Sequence, residues 1–187
     1  MLIGIKIRLY PNKEQEQKIN KTLGCYRFVY NHMLALKQEA YKKDKTKLRL
    51  CELSKYFHGT MLNDDKYAWL KEENTKVMKQ AIRQMLIAYD NFFKHHRGFP
   101  KFKSKKDKQS SLFPIDTISR CNTFETKHIS LTKPLKNIKF RCSNLYFSIL
   151  QKYNKNIRSA TLSKTKSCKY LLSILVEMED NELKKFE

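Results

Sequence analysis

Helical periodicity fills one block of this 187-residue chain and stops at Pro100, with strand-like patterning on either side of it. Before the block, Leu2 to Tyr10 alternates: Ile3, Ile5, Ile7 and Leu9 share one face, Lys6 and Arg8 the other. That period of two marks a half-buried strand, and Pro11 ends it. Asn12 followed by Gln15 has the form of a capping box, so a helix is expected from Lys13 to about Tyr41. Its apolar stripe is Ile19, Leu23, Tyr26, Tyr30 and Met33, with a break allowed at Gly24. Leu48 to Phe57 reads as a second helix on Leu50, Leu53 and Phe57, and Asn63-Asp64-Asp65 as a turn. Asn74 caps a third helix that carries Val77, Ala81, Met85, Ala88 or Tyr89, and Phe92, and that Gly98 and Pro100 stop. Beyond it the strand-like runs are Ile129 to Leu131, Ile138 to Arg141, Arg158 to Ser163 and Tyr170 to Met178. Lys164 to Lys169 reads as a hairpin loop, and Leu145 to Tyr153 as a short helix. The simplest architecture is α+β: the first strand joins the C-terminal sheet, and the helices are an insertion.

Charge narrows the partners. Thirty-nine Lys and Arg against eighteen Asp and Glu give +21, with a pI near 9.8. Such an excess repels itself in a compact state and attracts polyanions. Nucleic acid, an anionic membrane or an acidic protein would serve. Membrane is the weakest of these, because the basic residues are spread along the whole chain rather than gathered in one amphipathic segment. No apolar run approaches a membrane span, and Met1 to Lys6 lacks the layout of a signal peptide, so a cytoplasmic protein is expected. The five cysteines, Cys25, Cys51, Cys121, Cys142 and Cys168, form no CxxC pair. No zinc site is expected, and the thiols read as reduced and mostly buried.

Three groups could meet nucleic acid. Lys94 to Lys108, KHHRGFPKFKSKKDK, holds seven Lys or Arg and one Asp, with Phe99 and Phe102 interleaved. Lys101, Lys103, Lys105, Lys106 and Lys108 could neutralise phosphates and release counterions, while the aromatics could stack on bases. A solvated basic linker with two aromatics tucked into the core is the plainer alternative. On the third helix, Lys76, Gln80 and Arg83 sit at i, i+4 and i+7, flanked by Lys79. Basic side chains hold phosphates there and Gln can read an adenine edge, although a polar helix face is usually just solvated. Arg27 and Asn31 share a face of the first helix, where a plain helix surface fits the pattern equally well.

Catalytic candidates are poor. His95 and His96 are adjacent, so on a helix they point about 100° apart. Glu177 and Glu179 share a strand face but have no third carboxylate placed for a metal, and Asp64-Asp65, Glu72-Glu73 and Asp180 do not repair that. Four glycines provide no phosphate loop, and no GxSxG occurs.

The order of motifs resembles a known family. Arg8-Leu9-Tyr10-Pro11, Gly24-Cys25-Tyr26-Arg27-Phe28-Val29-Tyr30-Asn31, Trp69-Leu70, Gln80-Ala81, Asn91-Phe92-Phe93 and Gly98-Phe99-Pro100-Lys101-Phe102-Lys103-Ser104-Lys105-Lys106 follow the TnpB/OrfB series. Arg158 to Ser163 and Tyr170 to Glu177 are similar to the strands that precede that family's nuclease domain. These prokaryotic insertion-sequence proteins, called transposases in older usage, are RNA-guided DNA nucleases related to type V CRISPR effectors. The resemblance implies a split oligonucleotide-binding-like barrel, the wedge domain (1–12 plus 99–187), with a helical recognition insertion (13–98). It implies two partners, a guide RNA and double-stranded DNA carrying a short target-adjacent motif. Motif contacts are then expected at Ser54, Thr75, Lys76, Lys79, Gln80 and Arg83, and backbone contacts at Arg27, Asn31, Lys101, Lys103, Lys105, Lys106 and Lys108. In the family a RuvC-like domain follows, with three catalytic carboxylates, Mg and a zinc finger. This sequence stops near where that domain would begin, so neither cofactor is expected in this chain, nor cleavage by the chain alone. A helix-turn-helix-like repressor remnant, or a scaffold for a separately encoded nuclease domain, are the rival readings.

Overall fold

The computed structural model describes residues 1–118, 124–132 and 135–179. Cys121 and Asp180 lie outside the described residues. The class is α+β. A curled antiparallel sheet of six strands has the order β2-β5-β6-β1-β4-β3, from β1 (Leu2–Tyr10), β2 (Gln109–Pro114), β3 (His128–Ile129), β4 (Ile138–Arg141), β5 (Ile157–Lys164) and β6 (Tyr170–Glu177). The alternation in β1 sends Ile5, Ile7 and Leu9 into the core. It places β1 between β6, with Leu2 opposite Glu177 and Leu9 opposite Tyr170, and β4, with Arg8 opposite Arg141. Phe113, Phe140, Leu162, Leu172 and Ile174 complete the buried face.

Helix α1 (Lys13–Asp44) starts as the capping pattern predicts: Gln15 N–H donates to Asn12 Oδ1 at 2.8 Å, and Asn12 N–H to Gln15 Oε1 at 2.9 Å. The break allowed at Gly24 does not occur. A glycine inside a helix costs about 1 kcal/mol relative to alanine, and the buried neighbours Leu23, Cys25 and Tyr26 outweigh that. Its first turns are tied to the sheet's loops: the Gln15 amide donates to Lys136 O at 2.9 Å, and Lys164 Nζ to Asn20 Oδ1 at 2.8 Å.

The second predicted helix is shorter and differently wound. Helix α2 (Leu50–Lys55) passes into a π-helical turn, Tyr56–Met61, whose wider winding buries both Phe57 and Met61. A 3-10 stretch, Asp65–Glu72, then buries Leu70. Helix α3 (Thr75–His95) is capped by Asn74, whose Oδ1 accepts from the N–H groups of Lys76 and Val77. Its stop is His96, in the left-handed region at φ 49°, rather than Gly98. Short helices α4 (Ile115–Ile118) and α5 (Asn144–Lys152) accompany the strands. Two compact units result: Met1–Lys21 with Lys108 onward, and Thr22–Asp107.

Candidate nucleic-acid interface

The basic segment is held by a residue that charge alone would not single out. Asn31 Nδ2 donates to Lys103 O at 2.9 Å, and Lys103 N–H donates to Asn31 Oδ1 at 2.8 Å. A side-chain amide thus supplies the pairing that a neighbouring strand would otherwise give. Both polar ends of Asn31 are committed to this clamp, so its geometry is that of an anchor. Arg27, one turn earlier, is half-buried.

Lys103 also differs from its neighbours. Its ammonium lies 4.1 Å from the Tyr30 ring centroid and 5.7 Å from that of Tyr26. Burial pushes its pKa down. Its charge is spent on aromatic faces, whereas Lys101, Lys105, Lys106 and Lys108 are exposed. A tight turn displays Lys105 and Lys106: Ser104 N–H donates to Asp107 Oδ2 at 3.0 Å, and Lys106 N–H to Ser104 Oγ at 3.1 Å. Pro100 is buried, but Phe99 and Phe102 stay 46% and 55% exposed, so neither is tucked into a core.

The second group lies on α3. Val77, Met78, Ala81, Ile82, Met85 and Tyr89 face inward. Lys76 and Arg83 are exposed on the other side, while Thr75, Lys79 and Gln80 are half-buried between. Helix α2, which carries Ser54, packs against α3. Ser54 Oγ is buried without a hydrogen-bond partner among the described residues. The start of α3 is fixed by a buried bond, Thr22 Oγ1 to Glu73 Oε2 at 2.8 Å, which spans 51 residues.

Two arrangements escaped the sequence patterns. On the sheet, Arg8 and Arg141 stand opposite each other, with guanidinium groups 5.6 and 5.5 Å from the centroid of the exposed Tyr10 ring. Like charges directly across a ladder are unfavourable, and a shared aromatic face offsets part of that. Strand register alone brings them together. In the helical unit, Phe28, His32, Tyr56, Tyr67 and Trp69 form a wall of rings; Phe28 and Trp69 are 4.9 Å apart, edge to face. His32 Nε2 lies 3.2 Å from the Tyr56 hydroxyl.

Among the described residues no group of three His, Cys, Asp or Glu side chains could hold a metal ion. Glu177, singled out above with Glu179, is paired with Arg158 across the β5–β6 hairpin. The thiols are less buried than expected: Cys25 is buried, Cys142 half-buried, and Cys51 and Cys168 exposed, because the last two sit in a short surface helix and a hairpin turn. No helix among the described residues is long and apolar enough to cross a membrane.

A family model described as a helix-turn-helix domain, of OrfB proteins of IS605, matches residues 1–46. Those residues fold here as β1 and one unbroken helix. The virulence protein VsdF of Salmonella dublin is 34% identical over 117 residues, covering 58% of this chain and 98% of VsdF. A protein of Streptomyces pristinaespiralis named as a candidate RNA-guided DNA endonuclease is 29% identical over 108 residues, covering 58% of this chain but 27% of that protein. InsQ of Escherichia coli K12, named in the same way, is 26% identical over 113 residues, covering 60% and 28%. The chain therefore matches about a quarter of each of these two longer relatives.

Proposed function

This chain belongs to the TnpB/OrfB family of insertion-sequence proteins, and on that premise we propose that it is the part of a TnpB-like protein that binds a guide RNA and a target-adjacent DNA duplex. The observation that carries this reading is the Asn31–Lys103 clamp. It fixes an otherwise irregular segment so that Lys101, Lys105 and Lys106 are presented together to a phosphate backbone. In this reading the sheet serves as a split oligonucleotide-binding-like wedge, with the helices between β1 and β2 as the recognition insertion. Lys76, Lys79 and Arg83 hold the duplex, Gln80 faces the base edges, and Thr75 and Ser54 are further motif contacts. A stand-alone helix-turn-helix repressor is disfavoured, since α1 runs through Gly24 without a turn. No cleavage step is assigned to the described residues; Mg and Zn belong with the nuclease domain of full-length members.

The test is to purify the chain, wash it at high salt, and sequence the nucleic acid that stays bound. One RNA of defined sequence is expected, and a random mixture of fragments would count against the reading. A second arm uses duplexes of varied sequence. Gln80→Ala should reduce the preference for one duplex motif by about 1–3 kcal/mol, the worth of a good bidentate contact, while Lys105→Ala should weaken all duplexes alike. Equal losses on every duplex from Gln80→Ala would remove its reading role.

A further inference from the structure

The C-terminal ends of α1 and α3, with the residues that follow each, line an open cleft of about 810 Å³ in the helical unit. Its walls are aromatic, from Tyr41, Phe93 and Phe99, and the exposed Lys42 and Lys47 make it cationic at the rim. The volume lies within the roughly 300–1,000 Å³ usual for small-molecule sites.

Two of the rings are braced by neighbouring rings yet remain largely exposed. Phe93 stacks on the buried Tyr89 at 6.4 Å and 17°, yet is 69% exposed. Phe99 meets Tyr89 edge-on at 5.5 Å and Phe92 at 5.2 Å, and is 46% exposed. Tyr41 is 48% exposed, with Lys45 Nζ 5.1 Å from its ring centroid. Lys37 braces the floor: its Nζ donates to Leu48 O and lies 5.2 Å from the Tyr89 centroid. Burial lowers the pKa of Lys37, and Asp90 and Glu52 act in the opposite sense. Phe93 rests on Tyr89 and Phe92 and, with the exposed Tyr41 and Phe99, makes a cluster of exposed rings of the kind that marks a binding surface.

We infer that this cleft is a nucleotide pocket that takes one unpaired base of an RNA strand onto the exposed Phe93 ring, with its phosphate against Lys42 and Lys47. The inference rests on the nucleic-acid-binding function proposed above and names a site within it. Every base has a π-face, so stacking on an aromatic platform suits any of the four. The cationic rim complements the phosphate that an unpaired base carries with it. RNA is the favoured source because its loops and bulges present splayed bases without further cost, whereas a DNA duplex must first expel one.

The experiment uses the full chain and three probes. One is an RNA duplex with a single bulged 2-aminopurine, one the same duplex fully paired, and one the DNA counterpart of the bulge. Binding is read by titration, and stacking by quenching of the 2-aminopurine. The bulged RNA should bind about tenfold or more tightly than the paired one, as one base–aromatic stack allows, and should be quenched. Phe93→Ala and Tyr41→Ala should abolish the preference and the quench and leave paired-duplex affinity unchanged, while Phe93→Trp should retain both. Equal wild-type affinity for bulged and paired RNA, or a quench that survives Phe93→Ala, overturns the pocket while leaving nucleic-acid binding intact. An equal preference for the DNA bulge overturns the choice of RNA. Failure to bind any of the three probes overturns the pocket and the proposed function together.

Discussion

In the sheet, order comes from the backbone: β1 is paired along its length with β6, and Ile5, Ile7 and Leu9 are buried beneath it, with Ile3 half-buried at its start. In the segment from Phe99 to Asp107 there is no ladder and little burial. A few side chains do the work instead, namely Asn31, the Tyr30 ring under Lys103, and the Ser104–Asp107 turn. Redundancy in the first region means that a lost contact costs stability in proportion to its area. The second region rests on fewer contacts, so losing the Asn31 amide should loosen a row of charges while the fold survives. The residues with the largest effect on stability and those with the largest effect on binding should therefore be different residues.

The largest effect tests the sheet. Phe140 is buried against Phe124 and Phe147, with centroids 6.3 Å away in each case. Phe140→Ala should cost about 3–5 kcal/mol of unfolding free energy, as truncating a core aromatic does, read from urea unfolding. A loss below about 1 kcal/mol would mean that the sheet's core is not packed as described. The next effect tests the segment. Asn31→Ala leaves the Lys103 N–H and C=O without their partner, at about 1–3 kcal/mol. Trypsin should then cut after Lys101 or Lys105 faster, and affinity for all nucleic acids should fall together. Unchanged cleavage would show that the segment is held without the clamp.

The same contrast explains what the sequence made legible. Strand β1 and the stripe of α3 could be read because burial repeats at the period of the element: Ile5, Ile7 and Leu9 in one, Val77, Ala81 and Met85 in the other. Strand β2 was not legible. It opens Gln109-Ser110-Ser111 and ends on Pro114, and as an edge strand it needs only Ser111 and Phe113 to face inward. The role of Asn31 was hidden more deeply, since its partner is a backbone 72 residues away. Counting charge treats all lysines alike, and nothing local separates Lys103 from Lys101 or Lys105. The cross-strand Arg8–Arg141 pair exists only once the register is known.

That difference among lysines gives the third prediction. Each phosphate contact adds about 0.7–0.9 to the slope of log affinity against log salt. Lys101→Ala should reduce the slope by about one such step. Lys103→Met should leave the slope unchanged, because its ammonium sits on Tyr30 rather than in solvent. Equal slopes for both variants, each reduced, would place Lys103 at the interface and break the distinction.

The smallest expected effect lies one residue past the clamp. Adjacent helical residues point about 100° apart, so His32 faces the ring wall while Asn31 faces the segment. Burial pushes the His32 pKa below its ordinary 6.5; Glu39 raises it and Lys66 lowers it further. The Tyr56 hydroxyl and the rings of Phe28 and Tyr67 complete its surroundings. Between the lowered value and 6.5 the unfolded chain binds more protons at this site than the folded one does. Stability should therefore rise with pH across that window, be fully present above 6.5, and decline as pH falls through it. The carboxylates Glu14, Asp44 and Glu52 are held below their ordinary values of 4.5, 3.8 and 4.5, so their contribution is lost only at lower pH. The measurement is the urea midpoint from pH 7 down to about 5, for the native chain and for His32→Gln. The native midpoint should fall across this range and the variant's should stay flat. If both fall equally, another group carries the acid response, and the ring wall contributes packing alone.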